Sequence, residues 1–200
     1  MTTIYLLRHG QYEPHDGILP YRLSDFHLSQ KGKEDVHELA TKLSSKPIVA
    51  VYTSPLERTF ETAIILAKSF GLTPIIDERL LEVRSPAQGE KEGFVKSKGG
   101  WGIYETEWYK EHDGESMVEI VARMKSAFEE FVFKHEGKEI IVVSHGDPIM
   151  LTAAYYQGIA LESSALGSIP YVPMVGGFRL AFEAGEKPTV VVFSSYSIAS

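Results

Sequence analysis

The chain contains no cysteine in 200 residues. It therefore holds no disulfide, no cysteine-ligated metal and no thiol nucleophile, and a cytoplasmic protein is expected. No run approaches the roughly 20 consecutive apolar residues of a membrane span. The opening "MTTIYLL" lacks the basic stretch and long apolar segment of a secretory signal. The seven histidines are scattered, with no pair four residues apart to suggest zinc. Positive charge is scarce: 20 Lys and Arg against 27 Asp and Glu give a formal charge of −7. That balance argues against a surface built to wrap nucleic acid, yet it leaves room for a local basic pocket. No G-x-S-x-G elbow is present, since "GESMV" lacks the last glycine. "GEKEGFVKSKGG" is rich in Gly and Lys without the spacing of a phosphate loop.

What remains is an ordinary globular composition, 44% hydrophobic and 24% charged, of a length that suits one domain over residues 1–200. Short β-prone runs alternate with helical periods. The expected strands are Ile4–Leu7, Val49–Tyr52, Pro74–Ile76, Glu139–Ser144, Gly177–Phe182 and Thr189–Phe193. A first helix opens at the cap Ser29 and presents Val36, Leu39, Ala40 and Leu43 on one face. A second is expected to open with Ser54 as cap, Pro55 at the first helical position and Glu57 closing a capping box. A third starts with the capping box of Ser116 and Glu119 and carries the stripe Val118, Val121, Met124, Phe128, Phe131. A fourth follows Pro148. The alternation predicts an α/β fold with a mostly parallel sheet and an antiparallel edge made by the last two strands. Periodicity breaks down around 83–113, which exceeds the roughly 12–15 residues usual for a structureless loop and reads as a lid-like insertion. It holds both tryptophans, Trp101 and Trp108, with Tyr104 and Tyr109.

Two strands end in the same unusual way. "IYLL" runs into Arg8, His9 and Gly10, and "IIVV" runs through Ser144 into His145 and Gly146. Ligands of parallel α/β sheets bind beyond the carboxyl ends of strands, where each glycine permits a tight turn and close backbone approach. Arg58, one turn into the second helix, adds a fork-shaped partner for phosphate at an anion-favouring helix start. Glu82 closes the apolar pair Leu80-Leu81 at the entrance to the long loop. Two imidazoles, two guanidiniums and one carboxylate suit phosphoryl transfer through a histidine nucleophile, with no metal and no cofactor. His9 would attack phosphorus, its ring kept unprotonated by Arg8 and Arg58. The arginines and His145 would hold the oxygens, and Glu82 would protonate the leaving group.

The chain resembles the histidine phosphatase superfamily, the phosphoglycerate mutase-like proteins. "LLRHGQ" is similar to that family's Arg-His-Gly signature, "LSQKG" to its helix-opening element, and "VYTSPLERTFETA" to its Ser-Pro-x-x-Arg-x-x-x-Thr-Ala helix. "RLLEV", "DGES" and "VVSHG" follow in family order. The resemblance implies a three-layer α/β/α fold with a mostly parallel sheet. It implies His9 as nucleophile, Glu82 as proton donor, and Arg8, Arg58 and His145 as the phosphate pocket. Gln11 and Gly146 are carried over as further substrate contacts. "QYEPHDG" and "VRSPAQGEKEGF" depart from the family pattern, and Glu78 and Asp147 stand as rival acids.

The leading expectation is a metal-independent phosphatase that hydrolyses a small phosphorylated metabolite through a phosphohistidine. A cofactor-dependent phosphoglycerate mutase is the alternative; it would need further basic groups, for which Lys91, Lys96 and Lys98 are candidates. A non-catalytic phosphate-binding or interaction domain is the third reading. The aromatic residues of 101–109 read as a satellite cluster under the insertion, or as a platform for a ring-bearing or apolar substrate. The oligomeric state stays open, a homodimer included.

Overall fold

The structure, a computed structural model, describes residues 1–13, 17–183 and 185–193. Pro14, His15 and Asp16 of the divergent "QYEPHDG" segment lie outside the described residues, as do Ala184 and 194–200 at the end of the expected 1–200 domain. The elements run β1 (Thr2–Arg8), α1 (Gln30–Leu43), β2 (Ile48–Thr53), α2 (Glu57–Lys68) and β3 (Ile75–Ile76). They continue through α3 (Phe94–Ser97), α4 (Glu107–Glu111), α5 (Met117–Lys134), β4 (Glu139–Ser144), α6 (Gly146–Gln157), α7 (Ser163–Leu166), β5 (Gly177–Phe182) and β6 (Thr189–Phe193). The sheet order is β3-β2-β4-β1-β5-β6. β1 through β4 pair in parallel, and β5 and β6 add the expected antiparallel edge. Among the described residues no helix is long and apolar enough to cross a membrane.

The strands are apolar on both faces because both faces are covered. In β1, Ile4 and Leu6 join one buried cluster, with α5 and α6, while Tyr5 and Leu7 join the other, with α1 and α2. β4 divides in the same way, Ile140 and Val142 against Ile141 and Val143. This period-2 division makes the three-layer α/β/α architecture. In β2 the pairing slips between Ile48 and Ala50, which turns Val49 out to solvent.

Several expected boundaries move. Ser29 does cap α1, accepting from the Gly32 N–H at 3.0 Å. A side chain at Gly32 would put its Cβ 2.0 Å from the Gln11 carbonyl, so only glycine admits this approach of helix to loop. The Ser116–Glu119 capping box opens α5 as expected. Its inner stripe begins at Met117, however, and Val118 is 68% exposed. α2 begins at Glu57 with Leu56 as cap and no side-chain capping bond, so the expected Ser54–Glu57 box is not formed. α6 begins at Gly146, ahead of Pro148, which sits in the first turn where its missing N–H has no helical partner to lose. Residues 83–113 are not structureless. They contain α3, a 3-10 turn over Gly100–Glu105 and α4, kept short by glycines 93, 99 and 100, all at positive φ.

Candidate active site

β1, β4 and the turn before α2 all end at one crevice, a cavity of about 330 Å³. Arg8 and His9 continue from β1. The His9 N–H donates to the Ser144 carbonyl of the neighbouring strand at 3.2 Å, and the Gly10 N–H donates to Thr62 Oγ1 at 3.0 Å. Val175, held at φ 61°, gives its N–H to the His9 carbonyl. His9 is thus pinned by β4, α2 and the loop before β5, and only 2% of its surface is exposed. Its Nδ1 lies 2.8 Å from the Gly10 carbonyl. A carbonyl only accepts, so Nδ1 carries the proton and the neutral ring keeps its lone pair on Nε2. Burial, reinforced by Arg58 and Arg8, holds the His9 pKa well below its ordinary value.

His145, fully buried, stands edge-on to His9 with ring centroids 5.3 Å apart. Its Nε2 lies 2.9 Å from Ser54 Oγ, and Oγ already accepts from the Leu56 N–H at 3.4 Å. The serine hydroxyl can donate to Nε2, the arrangement in which the neutral ring carries its proton on Nδ1. Ser54 supports this histidine rather than capping α2. Burial first, then Arg58 and His9, keeps the imidazole well below its usual pKa.

Arg58 is 1% exposed, an unusual place for a guanidinium. Its Nη2 donates to the Tyr21 carbonyl at 2.6 Å, which the φ of 39° at Tyr21 turns inward. Arg8 donates Nη1 to the Val172 carbonyl at 2.8 Å and lies over the Tyr171 ring at 5.3 Å. Four polar atoms of this cluster lack partners: Arg8 Nε, Arg58 Nε and Nη1, and His145 Nδ1 are buried without a hydrogen bond. Arg8, His9, Arg58 and Glu82 line the cavity, while His145 is fully buried beside the His9 ring and does not. Buried donors of this kind are normally satisfied, so their convergence suits an anion.

Glu82 follows the 3-10 turn over Glu78–Leu80, and its side chain is 15% exposed. Oε1 accepts from the Val83 N–H at 3.0 Å, and Oε2 lies 3.9 Å from His145 Nδ1. Burial and the nearby Asp147 raise its pKa to about 7, against the lowering pull of the Val83 bond and the two arginines. The rival Glu78 is exposed and lies off the cavity. Asp147 lines it, but both its oxygens are engaged, Oδ2 by the Tyr104 hydroxyl and Oδ1 by that of Tyr171, each at 2.5 Å.

Two expected contacts fall elsewhere. Gln11 is exposed and turns to α1, its Oε1 accepting from Ser29 Oγ at 3.1 Å; the glycine at 32 draws that segment to the helix and away from the cavity. Gly146 lies behind the lining rather than in it. A Cβ there would fall 2.1 Å from the Tyr171 hydroxyl, so the glycine makes room for the Tyr171–Asp147 bond. Lys91, Lys96 and Lys98 are exposed and do not line the cavity.

The aromatic segment divides. Trp101 and Tyr104 stack at 5.9 Å and line the cavity. Trp108 packs on Phe94 at 5.5 Å, and Tyr109 is buried with its hydroxyl donating to the Glu115 carbonyl at 3.1 Å. Sequence reasoning missed Tyr21 and Tyr171, which have no flanking motif, and Tyr12, which directly follows the quoted "LLRHGQ". It also missed the roles of Ser54 and Thr62, although both stand in the quoted α2 motif.

The chain is thus a three-layer α/β protein whose imidazoles and guanidiniums gather at the carboxyl ends of its parallel strands. The chain is a member of the histidine phosphatase superfamily (branch 1), whose family model matches residues 4–173. It is 32% identical over 156 residues to a probable phosphoglycerate mutase, GpmB, of Serratia proteamaculans, covering 73% of this chain and 70% of that one. It is 28% identical over 168 residues to phosphoserine phosphatase 1 of Hydrogenobacter thermophilus, covering 81% and 79%. Among solved structures, YhfR of Bacillus stearothermophilus superposes with a TM-score of 0.82 at 26% identity, covering 96% of each chain.

Proposed function

We propose that this protein hydrolyses a small phosphate monoester through a phosphohistidine on His9. The observation that carries the reading is the set of unpartnered donors on Arg8, Arg58 and His145 beside a histidine that stays neutral. Three phosphoryl oxygens would satisfy those donors and leave phosphorus in front of His9 Nε2. The Nε2 lone pair forms the N–P bond as the ester P–O bond breaks. The departing alkoxide takes the proton of Glu82, whose pKa near 7 leaves it protonated in about half the molecules at neutral pH. Water then attacks phosphorus and gives its proton to the Glu82 carboxylate. The N–P bond breaks, and phosphate leaves.

The GpmB relatives keep a mutase reading in view. Hydrolysis is favoured because the lysines available for a second acidic substituent stay outside the cavity. The test is p-nitrophenyl phosphate hydrolysis in EDTA by wild type and His9→Ala, with a search for phosphoryl-labelled protein after an alkaline quench of the labelled ester. Nitrophenol release that falls at least about 10³-fold in the variant is expected, with an acid-labile, base-stable phosphoryl label on wild type alone. Unchanged hydrolysis in His9→Ala would overturn the mechanism. An inert wild type that interconverts phosphoglycerates after bisphosphate priming would establish the mutase.

A further inference from the structure

Beyond the phosphate end, the cavity changes character. Its wall is Leu19, Pro20, Val95, Trp101 and Ile103, with tyrosine rings between them. Among the described lining residues the only guanidinium or ammonium cations are Arg8 and Arg58, and the phosphate reading uses both. The acids that line it are Glu82 and Asp147. Asp147 is held by two tyrosine hydroxyls, one on each carboxylate oxygen, from Tyr104 of the 3-10 turn and Tyr171 of the loop before β5. Those bonds hold its carboxylate in the cavity wall.

We infer that the pocket selects monophosphates of aromatic or otherwise apolar alcohols, with Trp101 as the stacking wall and Asp147 as a fixed negative charge that rejects acidic esters. The inference rests on the phosphatase reading and adds the substrate class to it. An aryl group meets a face of Trp101 and aliphatic side chains, which is favourable without any polar partner. An ester carrying a carboxylate meets no spare cation and one held anion, so rejection is built into the wall rather than left to weak binding.

Two measurements test this. The first compares kcat/KM for benzyl phosphate and 3-phosphoglycerate. Both release a primary alcohol, so leaving-group chemistry is nearly matched and the ratio reads the pocket. A ratio of at least about 10 in favour of benzyl phosphate is expected, since one good aromatic contact is worth about that factor. The second is calorimetric binding of benzylphosphonate and 3-phosphonopropionate, which needs no turnover. Trp101→Ala should lower the benzylphosphonate preference about tenfold. Asp147→Asn should raise 3-phosphonopropionate affinity about tenfold while moving benzylphosphonate little. Equal or better handling of the carboxylated compounds by wild type would overturn the inference. Hydrolysis of neither ester, with the benzylphosphonate preference intact, would overturn the phosphatase reading and leave the substrate class standing.

Discussion

His145 Nδ1 lies 3.9 Å from Glu82 Oε2, and no hydrogen bond claims it. The gap is too long for a bond between them. In the proposed reaction the unclaimed Nδ1–H would donate to a phosphoryl oxygen while Glu82 stands beside the ester oxygen. The two residues come from different strand ends, so the spacing is a property of the fold and not of either loop. Under the proposed mechanism it divides donor from acid: His145 would hold the charge that develops, and Glu82 would supply a proton.

The first consequence is a pH profile. The proposed mechanism requires Glu82 to be protonated to release the alcohol, and burial with Asp147 nearby raises its pKa to about 7. Activity in kcat/KM is expected to fall about tenfold per pH unit above that point. The acid limb lies below pH 6.5, because His9 keeps its lone pair to well under its ordinary pKa. Glu82→Gln should lose the basic limb and about 10²–10⁴ of the rate near pH 6. Taking the ratio of the two profiles cancels the substrate's own titration. A basic limb that persists in Glu82→Gln would assign the proton to another group.

The same shift makes a stability prediction of opposite sense to that of a salt-bridged acid. Glu82 holds its proton more tightly folded than unfolded, with a pKa raised from 4.5 to about 7. Between those values the native state binds more protons, so stability falls as pH rises and the full cost is present above pH 7. The cost is on the order of 3 kcal/mol. Glu82→Gln removes it, and should raise the melting temperature at pH 8 while changing it little at pH 4.5. Thermal melts at the two pH values check the sign directly.

Most of the sheet was legible because fully buried strands are short apolar runs, and β1, β2 and β4 stand out as such. Arg8, His9 and His145 stood out because charged or titratable groups end those runs, and Arg58 and Glu82 because they sit in the first turn of α2 and at the entrance to the long loop. Helix starts were less so. Ser54-Pro55-x-Glu57 satisfies every local rule for a cap, yet His145 takes the serine hydroxyl, a contact 91 residues away in sequence. Val118 and Met117 are both apolar and adjacent, and only packing chooses between them. The apolar and tyrosine wall was illegible for a related reason. Leu19, Pro20, Tyr21 and Tyr171 lie in loops without periodicity, and their convergence is tertiary.

Ser54 supplies a third test. Its hydroxyl is buried and, donating to Nε2, leaves the His145 proton on Nδ1. Ser54→Ala frees the ring to place its proton on Nε2, where it faces no phosphate. Stability should fall by about 1–3 kcal/mol for the buried group left unpaired. The rate constant kcat should fall about tenfold or more with a smaller change in KM. Ser29→Ala is the control: it removes the α1 cap, should cost about 1 kcal/mol, and should leave kcat alone. Equal kcat losses in both variants would make the Ser54 effect structural.

Gly146 gives the last prediction, and it separates spacing from substrate contact. If its backbone merely touched phosphate, Gly146→Ala would leave Tyr171 undisturbed. The geometry requires otherwise, because the new Cβ would fall 2.1 Å from the Tyr171 hydroxyl and 2.7 Å from Cζ. The ring must move, which releases Asp147 Oδ1 and lifts the ring from Arg8. Gly146→Ala should therefore destabilise by about 1–3 kcal/mol, the usual scale for overpacking a close contact. Tyr171→Phe removes the nearest clashing atom but not the ring carbon behind it. In a double-mutant cycle, Gly146→Ala should cost less on the Tyr171→Phe background than on wild type, a coupling of at least about 0.5 kcal/mol. Additive losses in that cycle would mean that the glycine answers to some other neighbour.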